Sequence, residues 1–131
     1  MPTLVVQTDA RRQVVDITAR VNDLLRREGF EQGLCHLFIT HTTAALSTAD
    51  LDPGTDLDML DAFAHLVPAL RYRHPHDPSH VPDHILATLL GPALGVPVQD
   101  GRLVLGTWQR VVLVEFDGPR QRRIVVTLLG K

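Results

Sequence analysis

Two β-branched stretches open the chain, Thr3 to Thr8 and Gln13 to Ile17, with the polar Asp9-Ala10-Arg11-Arg12 between them. That pattern predicts a β-hairpin. The apolar spacing then becomes helical, because Val21, Leu24 and Leu25 share one face. Thr18 is placed to cap that helix, and Gly29 stands where a C′ glycine ends one. Leu34-Cys35-His36-Leu37-Phe38-Ile39-Thr40 reads as a buried strand, continued in extended form from His41 to Thr48 around a bulge. A histidine and two threonines, His41-Thr42-Thr43, interrupt this stretch where an apolar residue is expected.

Asp52-Pro53-Gly54 is a turn, since Pro presets φ and Gly permits positive φ. Thr55 is placed to cap a second helix, with Asp56 and Asp58 in its first turn and a stripe of Leu57, Leu60, Phe63 and Ala64. Val67 to Asp83, rich in proline and histidine, predicts an irregular loop, and Pro82 to Leu90 a short helix ended by Gly91. The Asp-Gly pair in Gln99-Asp100-Gly101-Arg102 is a strong hairpin signal. It separates a strand around Val98 from a long one, Leu103 to Glu115, and Asp117-Gly118-Pro119 turns into the last, Arg123 to Leu129. The order predicts one α+β domain over residues 1–131, with a largely antiparallel sheet and about three helices. The last strands are apolar at nearly every position, so both faces need cover.

Thirteen basic residues against 15 acidic ones argue against nucleic acid as a partner, because phosphate neutralisation needs a basic footprint. No apolar run reaches the roughly 20 residues of a membrane span, and the N-terminus turns polar too soon for a signal peptide. A cytoplasmic protein is expected. Cys35, the only cysteine, lies in an apolar run and reads as a buried thiol.

Candidate chemistry centres on histidine. His74, His76, His80 and His84 crowd RHPHDPSHVPDH, and neutral imidazole is the commonest metal ligand; yet the spacing matches no zinc motif. Glu115, among Val111, Leu113, Val114 and Phe116, must be paired, metal-bound or protonated if buried. It is either a site carboxylate or half of an ion pair with a nearby arginine. Trp108, the only tryptophan, sits with Gly106 and Gln109 in the long strand, where glycine marks a bulge or a close approach. Arg120, Arg122 and Arg123 form either a phosphate clamp or an exposed basic run. The helix start at Asp83-His84 offers free N–H groups to an anion.

HTTAAL, the Asp-Pro turn, YRH, PDHILATLLG, DGRLVLGTWQ and EFDGPRQRR, in this order and spacing, resemble the YjbQ family, known as the secondary thiamine-phosphate synthase family. The resemblance covers residues 1–131. It implies a homotrimer with pockets near subunit boundaries, and an enzyme joining an aminopyrimidine diphosphate to a thiazole phosphate. It assigns site roles to His41, His74, His84 and Glu115, the three histidines acting on a divalent metal (zinc or magnesium) or as acid–base groups. Thr42, Thr43, Trp108, Gln109, Arg120 and Arg123 would bind a phosphorylated small molecule, and no organic cofactor is implied. His36, His65, His76 and His80 match no family motif. One departure stands out. Ala49-Asp50-Leu51 occupies the place where the family reads Asn-Glu-Asn before Asp-Pro, with one residue fewer. The rival reading is a trimeric protein that binds a metal or metabolite without catalysis, since no nucleophile–base pair or Gly-rich phosphate loop is evident.

Overall fold

Strand β1 (Thr3–Gln7) buries Leu4 and Val6 and turns Thr3, Val5 and Gln7 outward, the two-residue period of a pleated strand. A computed structural model describes residues 1–131. In it β1 does not pair with β2 (Gln13–Asp16), so the expected first hairpin is absent. The chain instead crosses between two sheets at residues 8–12. Local pattern cannot separate the two outcomes, because a polar link between two strands suits either.

Helix α1 (Thr18–Arg27) follows, with Val21, Leu24 and Leu25 buried and Gly29 at φ +62° behind it. Thr18 does not cap it. The Asp16 carboxylate accepts the Thr18 N–H at 3.0 Å, while the Thr18 hydroxyl accepts the Val111 N–H at 2.8 Å. Strands β3 (Gly33–Ile39) and β4 (Ala44–Ala49) belong to different sheets, and Thr40 to Thr43 is the crossing between them.

Helix α2 (Thr55–Leu66) starts behind Gly54, at φ +91°, without a side-chain cap. It buries no residue completely, and Leu57 and Leu66 remain more than 60% exposed. A 3₁₀ turn, Pro78–His80, breaks the expected loop and leads into α3 (Val81–Leu90).

The strands β5 (Ala93–Gln99) and β6 (Arg102–Leu103) make the expected Asp-Gly hairpin. Asp100 and Gly101 both have positive φ, 53° and 75°, as a tight primed turn requires. The long strand predicted from Leu103 to Glu115 is interrupted. Residues 104–109 form a turn, in which the Gln109 side chain accepts the Gly106 N–H and the Gln109 N–H donates to the Gly106 carbonyl. Then come β7 (Arg110–Glu115) and β8 (Gln121–Gly130).

All pairings are antiparallel. One sheet has the order β1-β8-β3-β5-β6 and the other β2-β7-β4. They pack face to face around the larger core, which includes Leu37, Ile39, Leu46, Ile124 and Val126. On its other face the small sheet carries Val112, Val114 and Phe116 against Leu86 and Ala87 of α3. Strand β7 is therefore buried on both sides, as its unbroken apolar run predicts. The large sheet turns Val5, Leu34, Phe38 and Leu129 outward, all exposed. No helix is long and apolar enough to cross a membrane.

Gly33 and Gly130 face each other in register at φ +143° and +138°. A Cβ on Gly33 would lie 2.0 Å from the Leu129 carbonyl oxygen, whereas one on Gly29 meets nothing within 4 Å. Gly33→Ala should therefore lower stability by about 3 kcal/mol through overpacking. Gly29→Ala should cost only the left-handed backbone penalty of about 1 kcal/mol. Urea denaturation of the two variants checks the difference.

Candidate functional site

The crossing from β3 to β4 is held by a buried ion pair. Glu115 and Arg122 are 0% and 2% exposed. Glu115 projects from β7 into the space between the sheets, and Arg122 enters it from β8, inward like Ile124 and Val126. The Arg122 Nε donates to both Glu115 oxygens, at 2.9 and 3.1 Å, and Nη2 also donates to Oε2. The same Nη2 reaches the Thr43 hydroxyl at 2.8 Å and carbonyl at 3.2 Å. Glu115 further accepts the Thr8 hydroxyl at 2.7 Å and the Asp117 N–H at 3.1 Å. Burial alone would raise the Glu115 pKa, but these hydrogen bonds and the guanidinium charge outweigh it and hold the carboxyl below its ordinary value. Glu115 is thus the half of an ion pair, sealed from solvent, and its expected place among residues touching a ligand is corrected. Thr43 is buried with it and is a structural anchor.

His41 and Thr42 stand free of that core. They line a pocket of about 570 Å³ with Phe38, Ile39, Thr40, Ala44, His84, Ala87, Thr88 and Pro92. The His41 Nε2 accepts the Arg123 backbone N–H at 3.0 Å. Burial first, then the Arg122 guanidinium, hold its pKa below the ordinary 6.5; Glu115 opposes this and Arg120 adds to it. His84, on α3, has its Nδ1 3.2 Å from the Thr42 carbonyl. His74 stacks on His84, ring centroids 5.2 Å apart and 13° from parallel. The His74 Nδ1 faces the N–H groups of His76 and Asp77, at 3.3 and 3.2 Å.

These contacts assign protons to the neutral rings, since one imidazole nitrogen then donates and the other accepts. A nitrogen facing an N–H is the acceptor, so His41 carries its proton on Nδ1 and His74 on Nε2. A nitrogen facing a carbonyl is the donor, so His84 carries its proton on Nδ1 and keeps a lone pair on Nε2. Three histidines with one free lone pair do not fit a three-nitrogen metal cage. The ligand atoms that do lie within 4.8 Å of one another belong to His80, Asp83 and Asp117. There, however, the cations are already present. Buried Asp83 faces Arg11 and Arg12 at 3.4 and 3.2 Å, and Asp117 pairs with Arg120 at 3.0 Å. His80 has carboxylate oxygens on both sides, Asp77 at 2.9 Å and Asp83 and Asp117 at 3.3 and 3.4 Å. The cluster is a set of ion pairs tying α3 to the β7–β8 turn. It also answers the helix-start expectation: the first turn of α3 already holds the carboxylate of Asp83, which suits the helix dipole.

Trp108 and Gln109 do not share the histidine pocket within one chain. Trp108 is 70% exposed in the turn before β7, beside Ala49, which pairs with Arg110. Thr43 and Glu115 lie at the other end of the same two strands, about 17 Å away at the strand rise. Gln109 donates to the Thr48 hydroxyl at 3.1 Å. Trp108 instead borders cavities shared with Asp50, the residue of the altered segment. Arg120 is exposed and bonded to Asp117, whereas the Arg123 side chain is exposed and its backbone N–H donates to His41. Sequence reasoning gave Arg122 no separate role, although the alternation Arg122, Ile124, Val126 already places it inside.

The fold and site define a class: a two-sheet antiparallel α+β domain with an imidazole pocket where the chain passes between its sheets. The chain belongs to the UPF0047 family of YjbQ-like proteins, whose model matches residues 2–131. It is 39% identical to a UPF0047 protein of Archaeoglobus fulgidus over 96% of this chain and 98% of that one. YugU of Bacillus subtilis is 33% identical, with 99% of each chain covered. The crystal structure of a YbjQ-like protein of unknown function from Sulfolobus solfataricus superposes with a TM-score of 0.91, at 35% identity over 99% of this chain and 96% of that chain.

The ion pair makes two expectations. Glu115→Gln should lower stability by about 3 kcal/mol, because a buried guanidinium loses its counter-charge. Wild-type stability should also fall in acid. The lowered Glu115 pKa contributes stability that is full above its ordinary 4.5 and is lost as pH drops through the folded value. The sign follows because the unfolded chain binds more protons there. Thermal melts between pH 7 and pH 3 should show this acid loss, and Glu115→Gln should flatten it.

Proposed function

We propose that the His41–His84 pocket binds a phosphorylated small molecule and serves transfer chemistry of the thiamine-phosphate synthase type that the family resemblance implies. One observation carries this reading. The pocket has a polar side of imidazole and threonine, with the Arg120 and Arg122 charges acting on His41 from outside its lining, and an apolar side of Phe38, Ile39, Ala87 and Pro92. That division suits a flat heterocycle joined to a phosphate. In such a coupling a C–N bond forms while the C–O bond to diphosphate breaks, and the diphosphate departs with the electron pair. Fixed donors at the departing oxygens then stabilise the growing charge. His41 Nδ1–H, the Thr42 hydroxyl and the exposed Arg123 guanidinium supply them. A divalent cation, in this reading, neutralises diphosphate charge and arrives with the substrate rather than in a histidine cage.

The outward Val5, Leu34, Phe38 and Leu129 give the homotrimer its contact surface in this proposal, and Phe38 joins that surface to the pocket. Binding without catalysis is the second reading, favoured by the sealing of Glu115, which removes the carboxylate that would serve as an acid.

Purified protein supplied with an aminopyrimidine diphosphate and a thiazole phosphate should form thiamine phosphate. His41→Ala and His84→Ala should each lose at least about 100-fold in rate, the usual scale for a removed donor or base. His65→Ala, on exposed α2, should lose nothing. No turnover by wild type, with inorganic pyrophosphate still bound, would select the second reading. Light scattering should give three times the 14.5 kDa of one chain, and a monomer mass at micromolar concentration would contradict the trimer.

A further inference from the structure

We infer that His41 and His84 are a complementary pair, His41 a fixed N–H donor to an oxyanion and His84 the proton acceptor of the site. Both line the same pocket. This deepens the phosphate-binding reading and rests on it for the identity of the oxyanion. The assignment itself rests only on which backbone group each ring meets.

Arg123 brings its N–H to the His41 Nε2 from β8, across the crossing point. Thr42 brings its carbonyl to the His84 Nδ1 from the β3–β4 crossing. One side chain is thus held by a backbone donor and the other by a backbone acceptor, so the remaining nitrogens of the two rings have opposite roles. Burial and the neighbouring guanidinium charges keep the His41 ring neutral, and a neutral imidazole with Nε2 engaged can only donate from Nδ1.

The ligand class follows. It carries an acceptor oxygen for His41 and, close by, an O–H or N–H for His84. As the proton leaves, the bonding electrons stay on the ligand and the proton joins the His84 Nε2 lone pair. The imidazolium formed keeps its Nδ1–H on the Thr42 carbonyl, and the negative charge left on the ligand meets the His41 Nδ1–H. A protonated phosphate monoester or a diphosphate beside an amino-heterocycle has both groups; a bare metal ion has neither. His74, stacked on His84, holds that ring's plane.

The test needs no substrate. In ¹⁵N-labelled protein at pH 7.5, ring nitrogen shifts assigned by single His→Gln variants report which nitrogen bears the proton. The expected result is Nδ1–H for His41, Nδ1–H for His84 and Nε2–H for His74. An Nε2–H tautomer at His41 or at His84 would overturn the inference. Titration with inorganic pyrophosphate supplies a second arm. His41→Asn, whose amide N–H lies near the position of Nδ1, should keep affinity within about threefold, and His41→Ala should lose at least tenfold. Equal loss in both variants would also overturn it. Zinc titration is the third arm: a site weakened tenfold by both His41→Ala and His84→Ala would show shared ligation and refute the donor role. Failure of wild type to bind pyrophosphate at all, with the three tautomers as expected, would instead refute the phosphate reading and uphold the pair.

Discussion

The Glu115–Arg122 pair is the constraint on which both the sandwich and its pocket depend. Each residue comes from a different sheet, and both are almost fully buried. Isolated, either charge would carry a desolvation penalty of several kcal/mol. Together, with Thr8, Thr43 and the Asp117 N–H, they leave no buried side-chain nitrogen or oxygen without a partner. The pair does more than neutralise charge. Arg122 also grips the carbonyl and hydroxyl of Thr43, and so it fixes the backbone at the point where β3 leaves one sheet and β4 enters the other.

That fixed corner gives the next residues outward their chemistry. With Thr43 clamped, Thr42 presents its carbonyl to His84 and His41 presents Nε2 to the Arg123 N–H. Protonation is thereby set by backbone groups, which cannot rotate away as side chains can. The His80–Asp83–Asp117 cluster gives α3 a second tie, to the β7–β8 turn. His84 therefore hangs from a helix held at both the crossing and the turn.

Much of this was legible in the chain. The unbroken apolar run of β7 predicted burial on both faces, and the Asp-Gly pair predicted its hairpin. HTTAAL stood out because polar residues interrupted a strand, and the interruption is a sheet crossing. Other features were not legible, for physical reasons. A polar link joins paired strands and sheet-crossing strands alike, so the local pattern points to a β1–β2 hairpin that the fold does not form. Thr18 and Thr55 have cap chemistry, but Ile17 and Gly54 hold the cap positions. Glu115 reads from the sequence as buried, and as either a site carboxylate or half of an ion pair; the choice needs Arg122, which meets it only through a β7–β8 turn that brings two sheets together. The histidine tautomers depend on a backbone N–H 82 positions from His41, and no local pattern records that.

Amide hydrogen exchange on Glu115→Gln tests the dependence of the pocket on the ion pair most directly. The amides of Thr40 and Arg123, bonded to the Arg123 carbonyl and the His41 ring, report on the crossing. Those of Ile17 and Val126, bonded to the Val111 and Pro2 carbonyls, report on the sandwich away from it. If Glu115 holds the corner, Thr40 and Arg123 should exchange at least tenfold faster relative to Ile17 and Val126 than they do in wild type. Acceleration shared equally by all four amides, or none at Thr40 and Arg123, would contradict the account.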